Sequence, residues 1–499
     1  MASRARFFGV RRGAPPFVIL GGGPCGLAAA WQLAKLGHQP IVLEQEALVG
    51  GLCATHAHEG WRFDLGGHRF VSSDAALSSW LESILGDDLL TQERRSVVLH
   101  DGRCFRYPLE ATDLVKNLGV AENARALLGY ARAKMESALE REPRADVSFE
   151  DWVVRRFGRP LYDTFFGPYT EKLWGLHPRL ISADWAAERI SLLDLGDAAL
   201  RLAGLRKTPT RTYARRYRYP RRGMGQLYEA VAREITLRGG EVRTGARVVG
   251  FELDAAKSRV IAVRVDLPGG RGERIPVGEL LSTIPLPDLA RHLRPDLREH
   301  GARAHTELAR AASLLRFRAL TFVNLLLARR DFTDNTWMYV ASRRYSMSRI
   351  QEPKRRSASM APDGRTSLML EVPCDVGDAT WTASTSDLVT RMQSELASLG
   401  LPAGDVLSAF TVRVEHGYPI YHVGYERSRQ ALLAEVHRFA NVRTAGRQGL
   451  FRYVFMDAAM QMGMTAAVQM AGGERGGHGL DAIGRPHGAG VVESHALTA

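Results

Sequence analysis

Short, wholly apolar runs alternate with amphipathic stretches at the start of the chain. Phe17-Val18-Ile19-Leu20 stops at Gly21-Gly22-Gly23, the pattern of a strand buried on both faces in a parallel sheet. Ala28 to Leu36 has helical periodicity, and Pro40-Ile41-Val42-Leu43 reads as the next strand, so a β-α-β unit opens the fold. From about 74 to 205 heavy Ala, Leu and Arg content predicts a mostly helical region. Within it, Ser148 followed by Asp151 spells a capping box. Strands return at 241–244, 247–251, 259–265 and 280–284, with Gly269-Gly270 as a turn. A helix is expected at 287–293, strands of a second sheet at 320–327 and 367–372, and another helix at 386–399. Periodicity ceases after Met470, which predicts a disordered tail over 474–499. No internal repeat interrupts this order.

Composition narrows the class without fixing the function. The chain has 499 residues, 45% of them hydrophobic, enough for two or three globular domains. No run approaches the ~18–20 apolar residues of a spanning helix. The formal charge is +13, and only seven of the 67 basic residues are lysine. Basic residues concentrate at 201–222, interleaved with Tyr213, Tyr217 and Tyr219. That band reads as a solvated face or as a peripheral contact with an anionic membrane; no nucleic-acid partner is expected. Residues 1–15 read as a flexible arm of a cytoplasmic protein, because the apolar run after its arginines breaks at Gly21-Gly22-Gly23-Pro24. The four cysteines form no CxxC pair, and His56, His58 and His68 lack metal-site spacing, so no metal is expected.

The chemistry begins at Gly21-x-Gly23-x-x-Gly26, which lies between a strand and a helix. In that context the first glycine makes the tight turn and the second admits a pyrophosphate. The third packs helix on strand, and the helix N-terminus offers its N–H groups to the anion. Glu44 ends the second strand 18 residues after Gly26, where its carboxylate can accept from a ribose hydroxyl. Gly50-Gly51 and then Gly66-Gly67-His68 supply further close approaches, which favours the longer dinucleotide FAD over NAD.

These motifs resemble the amine oxidase-like superfamily of FAD enzymes, which includes protoporphyrinogen oxidase, phytoene desaturase and UDP-galactopyranose mutase. The resemblance runs over about residues 16–472. It implies a Rossmann-like FAD-binding domain with a helical insertion and a second, mixed or antiparallel substrate sheet. The boundaries expected are 16–73, 219–290 and 441–473 for the discontinuous FAD domain, and 74–218 with 291–440 for the substrate domain. It also implies that Arg447, Met456 and Asp457 belong to a segment closing over the flavin, with a helix N-terminus near Asp457 pointing at the cofactor.

Four segments look most like the mutase group. Gly66-Gly67-His68 matches a motif whose His lies against the flavin, which makes His68 the candidate catalytic residue. Pro168-Tyr169 through Trp174, Trp185 and Glu188-Arg189 resemble a helical stretch whose Arg binds a substrate diphosphate. Trp337-x-Tyr339 with Arg349 resembles the segment holding a tyrosine and a second diphosphate arginine. Gly417-Tyr418-Pro419 and Arg452-Tyr453 resemble two further phosphate-contacting tyrosines. The substrate residues implied are Arg189, Tyr339, Arg349, Tyr418 and Tyr453, and two guanidinium forks from separate elements suit a diphosphate. Two departures stand out: Phe455-Met456-Asp457-Ala458 lacks the mutase's polar amides, and Gln45-Glu46 replaces a basic approach to Gly50-Gly51.

Three functions remain open on this sequence. One is an oxidoreductase passing hydride from a glycosyl or diphosphate-bearing substrate to flavin N5. Another is a redox-neutral nucleotide-sugar mutase that uses reduced flavin as the nucleophile. The last is a non-enzymatic, flavin-dependent sensor or assembly protein that uses the basic band at 201–222. The partner expected is a small molecule, a nucleotide-sugar or a polyprenyl-diphosphate sugar.

Overall fold

A computed structural model describes residues 16–107, 113, 116–140, 145–189, 216–298, 306–474, 477 and 479–485. Side chains of residues 188, 189, 296 and 298 lie outside that description.

The N-terminal apolar run forms the centre of a five-stranded parallel sheet. Its order is Val442–Thr444, Glu279–Ser282, Phe17–Leu20, Ile41–Leu43, Glu241–Arg243. Val18, Ile19 and Leu20 are fully buried, because helix Pro24–Lys35 packs on the sheet and helices Gly225–Leu237 and Met456–Ala471 pack on that helix. Segments far apart in sequence therefore build one sheet with helices packed against it. Gly463 is the contact that allows it: a Cβ there would lie 2.0 Å from the Cys25 carbonyl oxygen, so the last helix lies against the first as only glycine permits. An antiparallel three-stranded sheet, Arg247–Leu253, Val260–Leu267 and Arg271–Pro276, attaches beside it.

The second sheet has seven strands in the order Val406–Pro419, Phe317–Leu327, Thr366–Cys374, Arg349–Gln351, Trp337–Val340, Ser96–His100, Arg103–Arg106. It is mixed, as expected: Trp337–Val340 runs parallel to Ser96–His100 and antiparallel to Arg349–Gln351. The predicted strands at 320–327 and 367–372 are its core. Residues 89–106 correct the helical reading of 74–205, since they form three strands, Leu89–Glu93, Ser96–His100 and Arg103–Arg106. Their Val- and Leu-rich runs are short, and sheet partners elsewhere in the chain decide their state. The Ser148 capping box is present: its hydroxyl accepts from Asp151 N at 3.2 Å, and the Asp151 carboxylate accepts from Ser148 N at 3.0 Å.

Two further expectations change. Residues 479–485 of the expected tail are packed: Leu480 is buried, and Asp481 accepts from the buried Arg429 at 2.9 and 3.0 Å. The basic band splits, and Arg201, Arg206, Lys207, Arg211, Tyr213 and Arg215 lie outside the described residues, as does the arm 1–15. The described part is strand Arg216–Pro220, with Tyr217 and Tyr219 buried. Its Arg218 pairs with Glu82 at 3.2 Å, and Arg221 just beyond it pairs with Asp88 at 2.9 Å. Alternation along a strand explains this, since every second residue faces the core. Among the described residues no helix is long and apolar enough to cross a membrane.

Candidate functional site

The glycine motifs meet in one place. Gly21 has φ +100°, and a Cβ there would lie 2.3 Å from Thr283 Oγ1; one on Gly26 would lie 2.0 Å from the Gly21 carbonyl oxygen. Helix Pro24–Lys35 starts with Gly23 as its N-cap and no side chain covering its first N–H groups, which leaves them for an anion. Gly51 faces Gly23, with 3.3 Å between the Gly51 Cβ position and Gly23 Cα. The two loops form a cradle that side chains would fill. Glu44 is buried, and its two carboxylate oxygens accept from Gly22 N at 2.7 Å and Glu46 N at 2.9 Å. Burial raises its pKa, although those N–H groups oppose the shift.

From this cradle a cavity of about 1530 Å³ runs to the second sheet. Gly21, Gly23, Glu44, Gly51, Gly66, Gly67, His68, Arg447, Met456 and Asp457 line it, with Tyr339, Arg349, Tyr418 and Tyr453. Gly26 and Gly50 do not line it; Gly26 packs helix Pro24–Lys35 on Gly21 and Ile19, and Gly50 turns the chain at φ +107°. The closing helix starts at Met456 with Phe455 as its N-cap, so Asp457 is a buried first-turn residue, not the cap. Arg189 ends helix Ala183–Arg189, but its side chain lies outside the described residues.

Cross-strand register arranges the far wall. Tyr339 sits opposite Arg349, and Arg349 sits opposite Glu371, so three residues form one row across three strands. Arg349 lies 5.3 Å over the Tyr339 ring and 3.8 Å from the fully buried Glu371 carboxylate. Burial works against the Arg349 charge, yet Glu371 and the surrounding tyrosines hold its pKa well above the ordinary value. Gly67 makes room for it, since a Cβ there would lie 2.5 Å from Arg349 Nη1. The Tyr418 hydroxyl donates to Glu371 at 3.3 Å, and its ring stacks on Tyr453 at 5.6 Å between centroids. Arg447 lies 4.1 Å over the Tyr453 ring and donates to the Val454 carbonyl at 2.8 Å.

His68 stands on the cavity wall. Burial, with the fields of Arg447, Arg356 and Arg349, pushes its imidazole down to about 3, so it is neutral at ordinary pH. Between pH 6.5 and 3 the unfolded chain therefore binds a proton here that the folded chain refuses. Stability from this site is full above pH 6.5 and falls as the pH drops through that window. Urea unfolding of wild type and His68→Gln at pH 7 and pH 4 should show the larger loss in wild type.

Sequence reasoning missed Glu371 and Lys172. Glu371 is a lone carboxylate in an apolar strand, which was a readable signal. Lys172 Nζ donates to the carbonyls of Val340, Ser342 and Met347 at 2.5, 2.9 and 2.9 Å, while burial pushes its ammonium down to about 7. It pins the loop between Tyr339 and Arg349, a role that exists only in three dimensions.

A parallel sheet carrying a glycine cradle, and a long cavity running from it to the second sheet, fit a flavin dinucleotide. The chain belongs to the flavin containing amine oxidoreductase family, whose model matches residues 24–471, and its cofactor is FAD. Reduced UDP-galactopyranose mutase superposes with a TM-score of 0.79 at 22% identity, covering 97% of this chain and 99% of that one. Putrescine oxidase superposes at 0.58 and 19% identity, over 92% and 99%. Protoporphyrinogen oxidase 1 of spinach (Spinacia oleracea) is 28% identical over 185 residues, 36% of this chain; the match spans about a third of that relative, 32%.

Proposed function

We propose that this flavoenzyme acts on a glycosyl substrate bearing a nucleoside diphosphate and rearranges it without net redox change. The observation that carries the reading is that Tyr339 and Arg349 line the same cavity as the glycine cradle, with the buried Glu371 next in the row behind Arg349. A diphosphate needs a fixed guanidinium held in register, and Glu371 beneath Arg349 supplies that fixing. The similarity to UDP-galactopyranose mutase over nearly the whole chain supports the same class of substrate.

In this reading the glycine cradle and the N-terminus of helix Pro24–Lys35 hold the FAD pyrophosphate, and Glu44 serves its ribose. Gly66, Gly67, Arg447, Met456 and Asp457 complete the cofactor's surroundings. Bound flavin supplies a hydride acceptor when oxidised and a nucleophilic nitrogen when reduced. Arg349 neutralises the diphosphate, with Arg189 as the second fork. Tyr339 and Tyr453 add hydroxyl donors, Tyr418 helps hold Glu371, and the three rings enclose the glycosyl group and exclude water. His68, neutral and buried at Nδ1, orients polar groups without adding charge.

Oxidation of the same substrate is the second reading, favoured by the family's oxidoreductase description. A titration with UDP, followed by flavin absorbance under anaerobic conditions, tests both. Saturable binding that tightens on dithionite reduction is the expected result. Equal binding in both states, together with oxygen uptake in a separate aerobic assay with a UDP-sugar, points to oxidation, and no binding in either state removes the diphosphate reading.

A further inference from the structure

Helix Val120–Leu139 carries large apolar side chains on the face it turns to solvent. Its inner face is fixed on the fold: Tyr130 and Ala133 are buried, and Gly129 fits against Pro160, where a Cβ would lie 2.4 Å from the Pro160 Cδ. Yet Val120, Leu127, Leu128, Met135 and Leu139 are between 62% and 90% exposed. At about 100° per residue these five fall within one arc of about 120°, and every other position in that arc is alanine. A stripe this wide normally faces a core. Here the core lies on the other side of the helix, so the stripe answers to something outside the fold.

Both edges of the stripe are basic. Lys134 borders one side and Arg125 the other. Glu122 and Glu136 lie further round the helix and are paired, with Arg103 at 2.6 Å and Arg132 at 2.7 Å. A second copy of the chain fits this face poorly, because whichever way two such helices pair, a basic edge meets a basic edge. The stripe is also small: a helix of 20 residues offers a band about 30 Å by 10 Å, less than half of the ~800 Å² per partner of a stable interface. A wide apolar arc bordered by lysine and arginine instead suits the boundary between acyl chains and anionic headgroups.

We propose that helix Val120–Leu139 docks the protein on an anionic membrane, lying in the plane of the lipid interface without crossing it. Arg103, which holds Glu122, belongs to the edge strand of the second sheet, and Tyr107 just past that strand lines the cavity. Docking on this helix therefore sets the edge of the sheet that walls the cavity beside the bilayer. The inference is independent of the diphosphate reading.

The test is cosedimentation of the full-length, flavin-loaded protein with lipid vesicles, either phosphatidylcholine alone or an equimolar mixture with phosphatidylglycerol. Wild type should bind the mixed vesicles and bind phosphatidylcholine more weakly. Replacing Leu127, Leu128 and Met135 together by Gln should weaken binding at least about a hundredfold. Arg125→Gln with Lys134→Gln should weaken it about tenfold and remove the preference for the anionic lipid. Leu237→Gln, on an exposed leucine of another helix, should bind as wild type does. The replaced apolar side chains are exposed, so flavin content and thermal unfolding should be unchanged; if the triple variant loses its flavin, Leu128→Gln alone decides the outcome. Wild type that binds neither vesicle overturns the proposal, and so does a triple variant that binds as wild type does, which assigns the contact to another surface. Light scattering that finds a dimer of wild type and a monomer of the triple variant, with no vesicle binding, overturns it in favour of a second copy.

Discussion

Arg349→Ala should weaken UDP binding by about 2–5 kcal/mol, the usual loss when one partner of a buried charge pair is removed. That is roughly 30- to several thousand-fold in dissociation constant. The substitution removes the guanidinium over Tyr339 and also strands the Glu371 carboxylate, which is fully buried with Ser348 and Tyr418 as its remaining neighbours. Part of the measured effect could thus be structural, and two variants separate the contributions. Arg349→Ala combined with Glu371→Gln removes the stranded charge, and it should recover thermal stability but not UDP affinity. Arg349→Lys keeps the charge but loses the planar fork, and it should bind UDP at an intermediate strength. UDP affinity that stays at the wild-type value in all three would remove Arg349 from the binding site.

The second large effect concerns the cofactor. Gly26→Ala should yield protein with less than about a tenth of the wild-type flavin content, because the third glycine of the motif lets the helix lie close on the strand. The added Cβ would be 2.0 Å from the Gly21 carbonyl oxygen and 3.2 Å from Ile19 Cγ2. Neither can yield cheaply, since Gly21 is locked at φ +100° and its N–H donates to the Leu43 carbonyl at 2.8 Å. The helix must shift, and its free N-terminal N–H groups move with it. Flavin absorbance per protein in the purified variant checks this. Gly37→Ala is the comparison: that glycine has a positive φ but open space around it, so it should keep its flavin and lose only backbone stability.

The nucleotide-binding half was legible because its signals are local. A strand, three glycines at fixed spacing and a helix occupy one contiguous stretch, and each glycine answers to a steric need that its neighbours in sequence create. Glu44 was readable for the same reason, since it directly follows the short apolar strand that ends at Leu43. The capping box at Ser148 is local too. Where a segment's state depended on distant partners, the reading slipped: 89–106 became strands through pairing with 216–220 and 337–340, and 479–485 became ordered through Arg429.

The amino-acid sequence by itself determined the glycine loops of the cradle, the position of the main strands along the chain and many of the residues that line the cavity. Only the tertiary structure decided how those residues work together. Arg349, Tyr339 and Glu371 are aligned by register across three strands, Lys172 fixes the loop between two of them from another element, and Gly67 opens space for Arg349 from far along the chain. Spacing in sequence fixes geometry within an element, but the distance between elements is set by packing, which no single segment encodes.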